Sequence, residues 1–542
     1  MGNLGRRDVL KGAAAAGALG AVGSAGSGAA PAAEASAAET PAAEVPVVEE
    51  RRRATVIGTG FGGSITALRL ARAGVDVLML ERGVRWPTGP SRDAFPRMFS
   101  PDRRASWLTS SPVLTGSTPS VWKPYTGVLE RVRGHGIDIL CGSGVGGGSL
   151  VYHGMTIQPA GEHFDRSMPA GLDYERFDRD YYRRVRSVLR PEGIPDDLLG
   201  SPQYKSVRQF RDRVLKAGME PYRVPLPQDW DYARRELRGE MRPSYSTGDV
   251  LYGVNNGGKR SVDVTYLAAA EATGRVEVAI LHLVRDIERD RTGRWVVRVD
   301  RIDTDGNVRE RKRIVTDALF LGAGSAGTTR LLVKAREKGL VPDLPDGVGS
   351  KWGNNGDRIF AWAPLGDSPG KLQGGPACMG VRDWKNPDGP LTIVQGPVPF
   401  PADLGVTSVI GFGIVEPRGQ FRYDPDADDA VLHWSQSYDR QLSARIGERI
   451  RSIVGGTLRD DFTNPTFDTS AFETTTYHPL GGAVIGDVCD SYGRVHGQRG
   501  LYVTDGSLIP GSTGACNPSM TIAALAERNM DEIVAREVGH VF

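Results

Sequence analysis

The sequence predicts an α/β fold, α+β overall, organised around a Rossmann-like dinucleotide-binding domain. Three observations predict it. An apolar run ends in a G-x-G-x-x-G loop that opens a helix, a second apolar run ends on an acid, and a strand–glycine–helix pattern returns late in the chain.

The first element is Ala54-Thr55-Val56-Ile57, apolar and partly β-branched, suited to a buried parallel strand. Gly58, Gly60 and Gly63 follow at G-x-G-x-x-G spacing. Gly58 permits the tight turn, Gly60 lets the backbone approach a pyrophosphate, and Gly63 lets helix pack on strand. Ser64 to Ala73 then reads as a helix with Ile65, Leu68 and Ala71 facing inward, ending at Gly74. Its N-terminus offers free N–H groups and the positive end of the helix dipole to phosphates. Val75 to Leu80 is a second buried strand. Glu81 closes it 18 residues after Gly63, where a carboxylate accepts both ribose hydroxyls of an adenosine and disfavours the 2′-phosphate of NADP.

A second glycine cluster, Cys141 to Val151, includes Gly142, Gly144, Gly146, Gly147 and Gly148. So many missing side chains fit a backbone lying against another flat or charged group, which favours FAD over NAD. The apolar Leu150-Val151-Tyr152 marks an ordered loop. Ala318 to Gly327 repeats strand, glycine turn and helix and returns the chain to the nucleotide domain. Arg294 to Val299 followed by Asp303 to Asn307 reads as a β-hairpin without chemistry. Asp173 to Leu189 reads as a solvated helix. Residues 86–125, with Trp86, Trp107 and Trp122, read equally as an access lid or as a surface loop packing its own aromatics.

The chain has 542 residues, 39% hydrophobic and 24% charged, enough for two to four water-soluble domains. Lys plus Arg number 67 against 65 Asp plus Glu, which gives no general attraction to nucleic acid or anionic lipid. Cys141, Cys378, Cys489 and Cys516 stand far apart, with no CxxC pair, HExxH or Cys/His cluster. No metal site is expected, and the thiols read as mostly free. Residues 1–45 read as an address segment rather than as fold. Gly5 to Lys11 resembles a twin-arginine export signal, Ala13 to Val22 is too short to span a bilayer, and Gly23 to about Glu44 has linker composition, with Ala33-Glu34-Ala35 one cleavage candidate. The expected location is therefore extracellular, reached by a folded protein already loaded with its cofactor.

Towards the C-terminus the motifs become long. Tyr477-His478-Pro479-Leu480-Gly481-Gly482 is followed by Leu501 to Gly511, then by Asn517-Pro518 and Thr521 to Arg528. With Gly146 to Val151, Asn255 to Lys259 and Leu319 to Ser325, the chain from Thr55 to about Ile533 resembles the glucose–methanol–choline (GMC) flavoprotein oxidoreductases, and within them the bacterial cholesterol oxidases with non-covalent FAD. The resemblance implies an FAD domain from residues 46–90, 126–160, 255–345 and 462–542. It places a substrate domain and lid in 91–125, 161–254 and 346–461, with a mainly antiparallel sheet covered by helices. Glu81 would bind the adenosine ribose, Gly147 and Gly148 would lie along the flavin, and the Val284 backbone would meet the adenine. Asp505 and Gly506 would face the ribityl and diphosphate, with Tyr152, His153, Met155 and Pro518 bordering the cofactor. His478 and Asn517 match the family's catalytic pair. An imidazole suits that role because it accepts a proton near working pH, and an amide holds the substrate oxygen without competing for the proton.

The implied reaction is oxidation of a secondary hydroxyl on a bulky hydrophobic alcohol, with O2 or another acceptor taking the electrons. No nucleic acid, at most transient membrane contact and a monomeric state are expected. A quinone-dependent dehydrogenase, a net isomerase of a secondary metabolite and a sterol-binding protein retaining the cofactor would carry the same motifs. The sequence departs from the subgroup where its members hold a proton-moving Glu. By register that position falls near Val394, with Gln395 beside it and no acid in the motif, so a steroid is expected to be oxidised without efficient isomerisation. Val394, Gln395, Tyr477 and Ser519 are the expected substrate-facing residues. Tyr152-His153 adds bulk and Ser519-Met520 removes it, which points to a reshaped cavity; His153 is an alternative attachment point for the flavin. One extra residue sits in Gly514-Ala515-Cys516-Asn517.

Overall fold

The computed structural model describes residues 46–98, 100–110, 122–364, 366–398, 402–454 and 475–542. The expected export signal and cleavage site, residues 111–121 of the lid segment and residues 462–474 lie outside the described residues. In chain order the strands that build the site are β1 (Val47–Ile57), β2 (Val77–Leu80), β3 (Tyr222–Arg223), β4 (Val276–Ala279), β5 (His282–Arg289), β6 (Trp295–Ile302), β7 (Val308–Leu321), β8 (Arg358–Trp362), β9 (Met379–Asp383), β10 (Leu391–Gly396), β11 (Thr407–Phe412) and β12 (Leu501–Val503). The principal helices are α1 (Phe61–Arg72), α2 (Lys205–Lys216), α3 (Gly324–Glu337), α4 (Arg440–Val454) and α5 (Ser519–Glu537).

The first sheet carries the order β4-β2-β1-β7, all parallel, with β2 and the last four residues of β1 fully buried, as apolar runs in a parallel sheet are. The far edge of β7 is shared: its first half pairs antiparallel with β6, which pairs with β5, and its last residues pair parallel with β12. β6 and β7 form the expected hairpin, but β7 continues into the core beside β1. Helix α1 begins at Phe61 rather than Ser64, because the Ser64 N–H bonds the Gly60 carbonyl at 2.9 Å and the glycine motif itself forms the first turn.

The second sheet, β8-β11-β10-β9-β3, is antiparallel throughout. Period-two alternation sorts its side chains. Ile393, Gln395 and Gly411 face the helical layer, where a side chain at Gly411 would strike Ile446 of α4. Thr392, Val394, Ile410 and Phe412 face the other way, and the Phe412 ring lies 5.9 Å from the His478 ring. This mixed α/β architecture comprises a nucleotide-type domain and a second, antiparallel-sheet domain.

The 173–189 segment corrects the expectation of a solvated helix. It is broken by a π-helical turn at Phe177–Tyr182, and Phe177, Tyr181, Tyr182, Val185 and Leu189 are buried. The wider turn brings both tyrosines to the core side, and the Tyr182 hydroxyl meets Thr521 Oγ1 of α5 at 3.1 Å. Trp86 and Trp107 are buried; Trp86 stacks on Phe95 in an apolar cluster with Leu150, Tyr252 and Tyr477. All four cysteines are free thiols.

Candidate active site

The two glycine clusters meet. Gly58, at φ +92°, turns the chain where a Cβ would lie 2.4 Å from the Gly322 carbonyl oxygen, and a Cβ on Gly63 would lie 2.1 Å from the Gly58 oxygen. These two glycines close strand, turn and helix on one another. Gly60 and Gly148 are different: a Cβ on either meets no protein atom within 4 Å. A Cβ on Gly147 would lie 3.0 Å from Gly60 Cα, so the second cluster runs directly over the first. The open side of Gly60 and Gly148 is the cradle.

Glu81 ties the cradle together from the end of β2. Its Oε2 accepts from the Thr59 hydroxyl at 2.6 Å, and its Oε1 accepts from the N–H groups of Gly83 (2.9 Å) and Gly144 (3.2 Å). Thr59 Oγ1 in turn accepts from the Gly146 N–H at 3.1 Å. The acid sits where the spacing placed it, and it also fixes one glycine loop on the other. The next strand starts beside it, the His282 N–H bonding the Glu81 carbonyl at 2.9 Å. Val284 follows in β5, where the pairing with β6 slips by a residue and opens the main chain. Strand, turn, helix, terminal acid and open glycines together fit a dinucleotide.

Asp505 needs a correction. Its carboxylate accepts from Gly324 N–H (2.8 Å) and Thr328 Oγ1 (2.5 Å) on one oxygen, and from Ser507 N–H (2.9 Å) and Oγ (2.6 Å) on the other. Four donors occupy its acceptor sites, so it caps α3 and its own turn instead of facing a ribityl chain. Burial pushes this carboxyl up, and the four donors oppose that. What Asp505 and Gly506 offer a ligand is main chain, held against the start of α1: a Cβ on Gly62 would lie 1.8 Å from the Thr504 carbonyl oxygen.

His478 is placed by a turn from the second domain. Gly353 and Leu480 exchange backbone hydrogen bonds of 2.9 and 3.1 Å, and the His478 N–H bonds Thr476 Oγ1 at 3.2 Å. Asn355 and Gly356, at φ +59° and +67°, reverse the chain and aim Asp357 at the imidazole. His478 Nδ1 lies 2.8 Å from Asp357 Oδ2, and both residues are buried. The Tyr477 ring packs 4.5 Å from the His478 ring. Asp357 went unnoticed in the sequence; the signal was an acid directly after the turn Trp352-Gly353-Asn354-Asn355-Gly356, ahead of β8.

The same turn reaches Asn517. Asn355 Nδ2 bonds Asp357 Oδ1 (3.2 Å) and the Cys516 carbonyl (2.8 Å), while its Oδ1 accepts from Thr513 N–H (3.0 Å). The loop before Asn517 turns through left-handed Gly514 and Ala515, at φ +76° and +59°. Asn517 itself is heavily engaged: Oδ1 accepts from the Ile157 N–H at 3.1 Å, and Nδ2 donates to the Met155 carbonyl and to Ser519 Oγ. Ser519 Oγ also donates to Met155 at 2.9 Å. Asn517, Pro518 and Ser519 thus pin the 155–157 segment to the start of α5, and only one acceptor position on Oδ1 remains.

Gln395 is not at the site. Its Nε2 donates to Thr407 Oγ1 (2.8 Å) and the Gly396 carbonyl (2.8 Å), on the face toward Ser206 of α2. Strand alternation sends it to the helices and leaves Val394 on the His478 face.

Tyr152 packs edge-on against Phe61 (5.7 Å) and beneath Lys259 Nζ (4.6 Å). His153 is neutral: burial above all, with Lys259 and His478 nearby, pushes it down to about 4. Lys259 donates to the Leu150 (2.8 Å) and Tyr152 carbonyls, and burial pushes it down to about 7. An unfolded chain titrates its lysine near pH 10.4, so between about pH 7 and pH 10 the unfolded state holds more protons. The contribution of Lys259 to stability is therefore full above that window and is lost as pH falls to 7. Lys259→Met is expected to flatten the rise of the urea midpoint between pH 7 and 9.

Residues 416–526 match the family model described as GMC oxidoreductase. Over 87% of its length the chain is 26% identical to a cholesterol oxidase of Mycobacterium tuberculosis, covering 89% of that protein. Over 90% it is 24% identical to a paromamine 6'-oxidase of Streptomyces fradiae, covering 92% of it. A solved structure of pyridoxine 4-oxidase from Mesorbium loti has the same fold, with a TM-score of 0.59 at 15% identity, covering 90% of this chain and 100% of that one. The match to the GMC oxidoreductase model thus lies in the C-terminal segment that carries His478 and Asn517, and the near full-length similarities are to oxidases.

Proposed function

We propose that the chain is an FAD-dependent oxidase that takes a secondary hydroxyl on a bulky, sterol-like alcohol to the ketone, with O2 reduced to hydrogen peroxide. The observation that carries this reading is that the motif of His478, which Asp357 backs, is bonded through Gly481 to Gly506 and Ser325 of the domain that holds the open glycines Gly60 and Gly148. Glu81, Gly60, Gly148 and the main chain at Val284, Asp505 and Gly506 would hold FAD, without a covalent bond. When bound, FAD supplies the acceptor for the two electrons that leave the carbinol carbon.

His478 accepts the hydroxyl proton at Nε2, since Nδ1 is turned to Asp357. Asn517 positions the 155–157 main chain, to which its Nδ2 and Oδ1 are both bonded, and so shapes the site beside His478 without competing for the proton. Val394, Ile410 and Phe412 share an apolar sheet face that meets His478, and Tyr477, against the same ring, packs in the cluster of Trp86, Phe95, Leu150 and Tyr252. That lining favours a hydrophobic substrate, and the similarity to cholesterol oxidase favours a sterol. Export of the folded, loaded enzyme belongs to the same reading.

The test is anaerobic mixing with cholesterol and with other steroid, terpene and polyketide alcohols, scored by flavin bleaching, then peroxide yield per substrate under air. One peroxide per ketone is expected; bleaching that air does not reverse would indicate a dehydrogenase. The unconjugated ketone is expected to accumulate, because the wall carries Val394 where a proton carrier would be needed. Formation of the conjugated 4-en-3-one as fast as cholesterol is consumed would refute that point.

A further inference from the structure

We infer that Asp357 is the positioning residue of the reaction, holding the His478 imidazole with Nδ1 inward so that Nε2 faces the alcohol. This rests on the proposed role of His478 as proton acceptor. Asp357 Oδ2 and His478 Nδ1 are 2.8 Å apart, and neither buried atom has a hydrogen-bond partner elsewhere. At that separation each atom is placed to be the other's partner. Leaving both unmade is costly in so dry a place, with Asp357 only 3% exposed.

The surrounding charges leave that role to Asp357 alone. Arg358, next in sequence, is committed elsewhere: its Nη2 pairs with buried Asp439, which also accepts from Asn354 Nδ2 at 2.6 Å, and its Nη1 donates to the Asp357 main-chain carbonyl. Asn355 is neutral and holds Oδ1. Tyr477 lies close to Asp357, and His153 is near both Lys259 and His478. The group that can become a cation directly against Oδ2 is therefore the His478 ring. When the hydroxyl proton arrives on Nε2, the new positive charge forms 2.8 Å from a fixed carboxylate in a low-dielectric setting. Asp357 takes no proton and makes no covalent bond. Asn355, bonded to both Asp357 and the loop of Asn517, holds the carboxylate in register with the rest of the site.

The test uses the FAD-loaded enzyme as wild type, Asp357→Asn, Asp357→Glu and His478→Asn. In the wild type a low-field imidazole N–H proton signal is expected, absent from His478→Asn and lost or displaced in Asp357→Asn. Asp357→Asn is expected to lower kcat roughly 100-fold while KM stays within about threefold, and Asp357→Glu to recover most of the loss. Full activity in Asp357→Asn with His478→Asn inactive overturns this inference alone. Full activity in His478→Asn overturns the functional reading itself. If Asp357→Asn does not fold, the wild-type signal and Asp357→Glu decide: no low-field signal, or an unshifted one in Asp357→Glu, counts against the pair.

Discussion

Gly60→Val is expected to yield a folded but colourless protein. At Gly60 the backbone angles, φ −71° and ψ −164°, suit any L-residue, and an added Cβ meets no protein atom within 4 Å. The new side chain therefore costs the apoprotein little, yet it projects into the open space that the proposed FAD pyrophosphate would enter. A loss of at least about 100-fold in FAD affinity, or about 3 kcal/mol, is expected. Two measurements check it: visible flavin absorbance per mole of protein, and the rise in melting temperature on adding FAD, which the wild type shows and the variant lacks. Gly63→Val is the control. There the Cβ would lie 2.1 Å from the Gly58 oxygen, so the strand–helix contact itself breaks and the protein is destabilised rather than merely empty. A yellow, stoichiometrically loaded Gly60→Val would mean that the cradle has been misread.

His478→Gln is expected to keep FAD and lose the reaction. The His478 main chain is tied to Thr476, and its imidazole packs against Tyr477 and Phe412 and faces Asp357, none of which Glu81 or the glycines depend on. Removing a general base of this kind costs roughly 10²–10⁴ in rate, or about 3–5 kcal/mol of transition-state stabilisation. Anaerobic stopped-flow reduction by the alcohol isolates that step from the reaction with O2. Unaltered bleaching would overturn His478 as the proton acceptor and with it the proposed function.

The nucleotide half was legible because its signals are local. The positive φ at Gly58, the acid ending β2 and the repeated strand–glycine–helix of β7 and α3 each depend on a few consecutive residues. Helix α1 started earlier than read only because the glycines that look like a loop satisfy the first helical hydrogen bond. The tyrosine-rich 173–189 segment was misread for a related reason: its spacing is helical, but a π turn rotates Tyr181 and Tyr182 inward, and periodicity alone does not show that.

By itself, then, the amino-acid order determined a dinucleotide cradle, its acid and the motif that delivers His478, since backbone conformation and short-range spacing are written residue by residue. Only the tertiary structure decided where the polar side chains point. Asp505 turned inward to cap α3, Gln395 fell on the helix side of β10, and Asp357 came from the turn ahead of β8 to stand behind His478. Those outcomes depend on register between distant segments, where a shift of one residue exchanges the two faces of a strand, and no local pattern encodes that choice.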